Sequence, residues 1–149
     1  TMADFAPSTG VIIESPGFLP NETGLRNLLL LADMSGKADK AAARRAMVTL
    51  GLGPDEKKPV GKYSLGQRQR LGFAQAFMEN PDVLILDEPF NAMDKASMEE
   101  VHDLLQQFKR DGKTIILASH SATDIEKACD IVYEMENGNL NVIQNKTVN

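Results

Sequence analysis

Two adjacent carboxylates, Asp87 and Glu88, follow the apolar run Val83-Leu84-Ile85-Leu86 and precede Pro89. Carboxylate oxygens are the ligands that a hard cation such as Mg²⁺ takes, directly or through water, and an acid one residue further out can accept a proton from water. The plainer alternative is that these acids cap the next helix or face solvent. Two more polar residues follow apolar runs: Glu14 after Val11-Ile12-Ile13, and His120 shortly after Thr114 to Ala118. If the three runs are parallel strands of one sheet, Glu14, Asp87, Glu88 and His120 converge on the rim at the carboxyl ends of the strands, where such sheets bind ligands. By itself His120 reads as a surface histidine, and its value depends on the acids.

A second informative stretch is Tyr63-Ser64-Leu65-Gly66-Gln67-Arg68-Gln69-Arg70-Leu71-Gly72. Ser64 with Gln67 three residues on fits a capping box, which needs no ligand. The same geometry suits a phosphate oxygen, because free backbone N–H groups at Gly66 and Gln67, the Ser64 hydroxyl and the helix dipole all favour an anion.

The elements that must position these residues follow from patterning. Val83 to Leu86 shows no polar alternation, which suits a strand covered on both faces. Gly10 to Glu14 is a shorter strand after an irregular lead-in. Ser15 to Pro20, with two prolines and a glycine, is a loop. Thr23 is an N-cap for a helix whose stripe is Leu25, Leu28, Leu29 and Ala32 and which ends at Ser35-Gly36. A second helix, Ala38 to Leu50, carries Ala43, Ala46, Met47 and Leu50 on one side, and a polar loop runs from Leu52 to Lys62. The third helix opens at Ser64, buries Leu71, Ala74, Phe77 and Met78, and stops at Asn80-Pro81. Asp94 caps a helix running to about Arg110, with Met98, Val101, Leu105 and Phe108 inward and Gly112 as its break. Strand Thr114 to Ala118, a short helix from Thr123 to Cys129, and a hairpin of Ile131 to Met135 with Leu140 to Ile143 about Asn137-Gly138 complete the chain. The fold class is α/β, with a parallel sheet from 1–22 and 81–149 and an all-helical insertion at 23–80.

At 149 residues, 42% hydrophobic and 25% charged, the chain is one ordinary globular domain or a large piece of one. Its net charge of −5 argues against an electrostatic grip on nucleic acid. Cys129 is the single cysteine, so no internal disulfide is possible and a reducing cytoplasm is the simpler setting. No apolar run approaches the roughly 18 residues that span a bilayer. The opening residues do not read as a signal peptide, so a membrane role is expected to come through a partner.

The order and spacing of these segments resemble the nucleotide-binding domain of an ATP-binding cassette (ABC) transporter, from about Gly10 to Leu140. Val83 to Glu88 resembles the Walker B segment, and Tyr63 to Gln67 the signature motif, usually LSGGQ, matching at Ser64, Gly66 and Gln67 and departing at Tyr63 and Leu65. Asn91-Ala92-Met93-Asp94 resembles the D-loop and Ser119-His120 the switch histidine. The resemblance implies a partial P-loop NTPase (RecA-like) sheet, ATP and Mg²⁺ as ligands, and an ATPase in the intact protein. It implies that Asp87 and Glu14 order Mg²⁺, that Glu88 is the general base, and that His120 contacts the γ-phosphate. Ser64, Gly66 and Gln67 would bind the phosphate held by a second nucleotide-binding domain, with Asp94 communicating across that dimer. A transmembrane permease subunit would be the other partner, placing the chain in the cytoplasm at the membrane periphery, with no nucleic acid bound.

Two departures matter. Glu14 stands where the family has a glutamine, and with the SLGQRQRLG form of the signature this resembles the subgroup exporting peptide antibiotics such as bacitracin or lantibiotics. No G-x-x-x-x-G-K-[ST] occurs, so the loop that cradles the β and γ phosphates is not among these residues, and the chain reads as amino-terminally truncated. Without that segment the Thr114 and Ile131 strands would each lack a neighbour, and self-association is expected over closure of the sheet on itself. Two other functions are weighed. A non-catalytic interaction fragment would show no Mg²⁺-dependent ATP signal. A soluble ABC ATPase acting on ribosomes or DNA is disfavoured by the acidic balance and by the lack of long insertions.

Overall fold

The computed structural model describes residues 8–13, 17–91 and 93–146. The chain divides into two compact units, Thr1–Ala118 and Ser119–Asn149. In the first unit β1 (Thr9–Ile12), β2 (Val83–Asp87) and β3 (Thr114–Ala118) form a parallel sheet in the order β1-β2-β3. Between β1 and β2 come α1 (Gly24–Ser35), α2 (Lys40–Thr49), a 3₁₀ turn at Val60–Lys62 and α3 (Leu65–Met78). α4 (Lys95–Arg110) connects β2 to β3. The expected α/β class, with helices alone between the first two strands, is what the sheet shows.

Helix starts follow the side-chain chemistry. The Thr23 hydroxyl accepts from the Arg26 N–H at 3.2 Å, and the Asp39 carboxylate accepts from the Ala42 N–H at 2.7 Å. Each satisfies one of the orphan donors of a first turn. Gly36 closes α1 in the left-handed conformation, its N–H donating to the Ala32 carbonyl at 2.8 Å. The segment from 52 to 62, expected to be a polar loop, buries Leu52 and Val60. It folds back so that the Val60 and Gly61 N–H groups donate to the Glu22 and Pro20 carbonyls, each at 2.8 Å.

α3 is the spine of this unit, packing on α2 and on β1. Besides the expected Leu71, Ala74, Phe77 and Met78, it buries Gln69, Gly72, Phe73 and Ala76. The buried face of the sheet, with Ile12, Leu84 and Leu86, joins Phe73, Val101 and Leu105 in one core. β1 comes so close to α3 that a Cβ on Gly10 would lie 2.4 Å from the Ala76 carbonyl oxygen. The expectation that β2 is covered on both faces is corrected. Leu84 and Leu86 are buried, but Val11, Ile85 and Ile116, in one register row, are 47%, 39% and 55% exposed. The apolar run carries residues for two covered faces, and within the described residues of this unit only one is filled.

In the second unit α5 (Ala122–Ala128) precedes the antiparallel pair β4 (Ile131–Glu136) and β5 (Asn139–Asn145). Asn137 and Gly138 have φ of +49° and +80°, the backbone that a two-residue hairpin turn of the primed type requires. Among the described residues no helix is long and apolar enough to cross a membrane.

Candidate functional site

β2 delivers Asp87 and Glu88 to the carboxyl end of the sheet. Asp87 is in register with Ala118, the last residue of β3, and the Glu88 N–H donates to the Ala118 carbonyl at 2.9 Å. Glu88 has φ of +45°, a left-handed backbone that costs a residue with a Cβ on the order of 1–3 kcal/mol. Such a conformation persists only where its surroundings hold it. The Asn91 N–H closes a turn onto the Glu88 carbonyl at 3.3 Å. Phe90 is buried between Phe73 and His102, with ring centroids at 6.5 and 4.4 Å. Asp87 is exposed and Glu88 half-buried.

Among the described residues no group of three or more His, Cys, Asp or Glu side chains forms a metal cage. Mg²⁺ needs none, since it usually keeps several waters and takes one or two carboxylates beside phosphate oxygens. An exposed Asp87 with Glu88 beside it fits that donor set. Glu14 lies outside the described residues. His120 follows β3 by two residues and is exposed in the second unit.

Ser64 is the N-cap of α3 with both bonds of a capping box. The Gln67 N–H donates to the Ser64 hydroxyl at 3.1 Å, and the Ser64 N–H to the Gln67 side-chain oxygen at 3.0 Å. The expectation of a free Gln67 N–H is thereby corrected, because the cap itself takes that donor. Lys58 donates to the same Gln67 oxygen at 3.2 Å, and its ammonium lies 5.3 Å from the Tyr63 ring centroid. A cation therefore reaches the positive end of the helix dipole, reinforcing its preference for an anion. Tyr63 is buried against the first turn of α1, and burial, with the charge of Glu56 adding to it, raises its hydroxyl above the ordinary tyrosine range.

Asp94 caps α4, its carboxylate accepting from the Ser97 N–H and hydroxyl, each at 2.9 Å. The Ser97 N–H first, the hydroxyl next, and the nearby Arg70 guanidinium hold the carboxyl below the usual carboxylate range. Two residues in this region, Gln69 and Arg70, are not legible as site residues from the sequence. Gln69 donates from its side-chain nitrogen to the Pro89 carbonyl at 2.9 Å. Arg70 donates to the Leu50 carbonyl at 3.1 Å and to the Ser97 hydroxyl, and pairs with Glu100 at 3.2 Å. The available signal for Gln69 was its place at i of an i, i+4, i+7 stripe with Phe73 and Ala76, a polar side chain on an otherwise apolar face.

A parallel α/β sheet that brings two acids to its carboxyl rim, interrupted by a helical segment with a capped anion-favouring terminus, is the corresponding part of a P-loop NTPase fold. Residues 1–91 match the family model described as ABC transporter, and the chain belongs to that family. It is 40% identical to the bacitracin transport ATP-binding protein BcrA of Enterococcus faecalis over 132 residues, 88% of this chain and 43% of that protein. To the uncharacterised ABC transporter ATP-binding protein YybJ of Bacillus subtilis (strain 168) it is 42% identical over 136 residues, 91% of this chain and 62% of that protein. The lantibiotic transport ATP-binding protein SrtF of Streptococcus pyogenes is 34% identical over 123 residues, 83% of this chain and 53% of that protein. The chain thus spans about half the length of the curated relatives it matches.

Proposed function

We propose that this chain is the acid- and signature-bearing part of an ATP-binding subunit in an ABC transporter that exports peptide antibiotics of the bacitracin or lantibiotic kind. The observation that carries the reading is Asp87 and Glu88 at the carboxyl end of β2, with Glu88 held in a strained backbone by the Ala118 carbonyl. The similarity to BcrA and SrtF supports the substrate class.

In this reading Asp87, with Glu14, would hold Mg²⁺, whose charge offsets that of the phosphates when it is bound. Glu88 accepts a proton from the attacking water. Ser64, Gly66 and Gln67, at the positive end of α3, face a phosphate carried by a second nucleotide-binding domain, which the Lys58 ammonium also favours. Asp94 communicates across that dimer. His120 is assigned to the γ-phosphate from the sequence alone. The organisation proposed is a sheet part, 1–22 and 81–149, with a helical subdomain, 23–80, turned towards a transmembrane permease. The subunit is then cytoplasmic and peripheral to the membrane.

Acids without a phosphate cradle leave the triphosphate largely unbound, so these 149 residues alone are expected to hydrolyse no ATP above background. The test is a chain extended at its amino end by a P-loop segment. There Glu88→Gln should slow hydrolysis by about 10²- to 10⁴-fold, the scale of a positioned general base, while ATP still binds. Hydrolysis within threefold of the parent would reject Glu88 as the base.

A further inference from the structure

We propose that Gln69 is a positioning residue for Glu88: it ties the anion-favouring end of α3 to the acid-bearing turn after β2. This rests on the proposed function for the roles of Glu88 and Ser64, and on the structure alone for the tie itself. Gln69 is 2% exposed, and its side-chain N–H group donates at 2.9 Å to the carbonyl of Pro89, itself fully buried. Pro89 has no N–H, so its own backbone can be gripped by a hydrogen bond only through its carbonyl. A buried carbonyl that loses its donor pays the full desolvation penalty, which makes the bond a constraint rather than an ornament. The residue directly before the gripped proline is the one held at φ +45°. A left-handed Glu needs its surroundings to over-determine it, and the Ala118 carbonyl on one side with Gln69 on the other do so.

The adjacent residue acts on the far end of the same turn. Arg70 donates to the Ser97 hydroxyl, which donates to the Asp94 carboxylate at 2.9 Å. Consecutive residues of α3 therefore hold Pro89 and, through Ser97, Asp94. Gln69 lies five residues beyond the Ser64 cap, about 7.5 Å along the helix axis at 1.5 Å per residue. Over that length a packed helix moves as a rod. A displacement of α3 by an anion at Ser64 is passed to the backbone of Glu88 through one buried hydrogen bond, so the phosphate-facing and acid-bearing parts of this chain form one mechanical piece.

The test is hydrogen exchange in the 149-residue chain, read by mass spectrometry on peptides covering 83–91, with α2 and the β4–β5 hairpin as folding controls. Gln69→Met keeps volume and loses the donor, and should lower protection of the Glu88 and Asn91 amides by about tenfold with the controls unchanged. Gln69→Glu separates the hydrogen bond from packing. Ionised, it cannot donate; protonated, its hydroxyl can, and burial raises its pKa above the ordinary carboxylate range. Relative to the parent, Gln69→Glu should therefore lack protection at pH 8 and regain it towards pH 5. If Gln69→Met loses protection everywhere, that pH profile decides. Parent-like protection at 83–91 in both variants, or a loss in Gln69→Glu that does not recover with pH, would overturn the tie. No nucleotide enters this experiment, so its failure is separate from a negative result for Glu88→Gln hydrolysis.

Discussion

Ser64 has a capping duty and, in the proposed function, a phosphate-facing one, and a substitution can separate the two. As the N-cap of α3 it accepts from the Gln67 N–H, and Ser64→Ala should cost about 1 kcal/mol of stability, measured by urea unfolding. Ser64→Arg adds bulk and positive charge where, in the proposed function, a second domain's phosphate approaches. In an extended chain carrying a P-loop it should abolish ATP-dependent dimerisation; dimerisation at the parent level would leave Ser64 a cap only. Asp94 gives a pH signature. Its carboxyl is held below its ordinary value by Ser97 and Arg70, so its contribution is fully present above the unfolded value of about 3.9 and fades as pH falls through the lower folded value. Thermal melts should show the difference between parent and Asp94→Asn shrinking below about pH 4. A difference that holds constant down to pH 3 would place the stabilisation elsewhere.

At the scale of elements, glycine at position 10 is demanded by the approach of β1 to α3. A Cβ there would meet the Ala76 carbonyl oxygen at 2.4 Å, a backbone atom that cannot turn aside. Gly10→Ala should destabilise the first unit by about 1–3 kcal/mol in urea unfolding, the usual cost of overpacking. Helix starts were legible because Thr23, Ser64 and Asp94 announce themselves chemically, and the hairpin because Asn137-Gly138 demands one turn type. The position of the acids was legible for a similar reason: four branched residues followed by Asp-Glu-Pro admit few backbones. Glu88's left-handed φ was not legible, since it arises from the Ala118 and Pro89 carbonyl partners, residues distant in sequence from those that hold them. Burial of both faces of β2 follows from a run without polar alternation, and that pattern does not say which neighbours are present. Gln69 is not legible because a capping box at Ser64 and Gln67 accounts for the start of the helix without it.

For the whole molecule, the sheet of the first unit has an open side. Val11, Ile13, Ile85 and Ile116 are exposed on one face, and β3 pairs with β2 alone among the described strands. An apolar face on the order of a few hundred Å² beside an unpaired strand edge favours association. Light scattering should show the mass of the 149-residue chain rising with concentration, and Ile116→Lys, at the centre of the edge strand β3, should suppress the rise. A concentration-independent monomer with a cooperative melt would contradict this. The functional reading stands or falls on Glu88. Steady-state hydrolysis by a P-loop-extended chain, measured with and without Glu88→Gln at saturating Mg²⁺ and ATP, should show turnover that drops by about 10²- to 10⁴-fold in the variant while ATP binding persists. Turnover that survives the substitution would contradict the assignment of this turn as the hydrolytic centre.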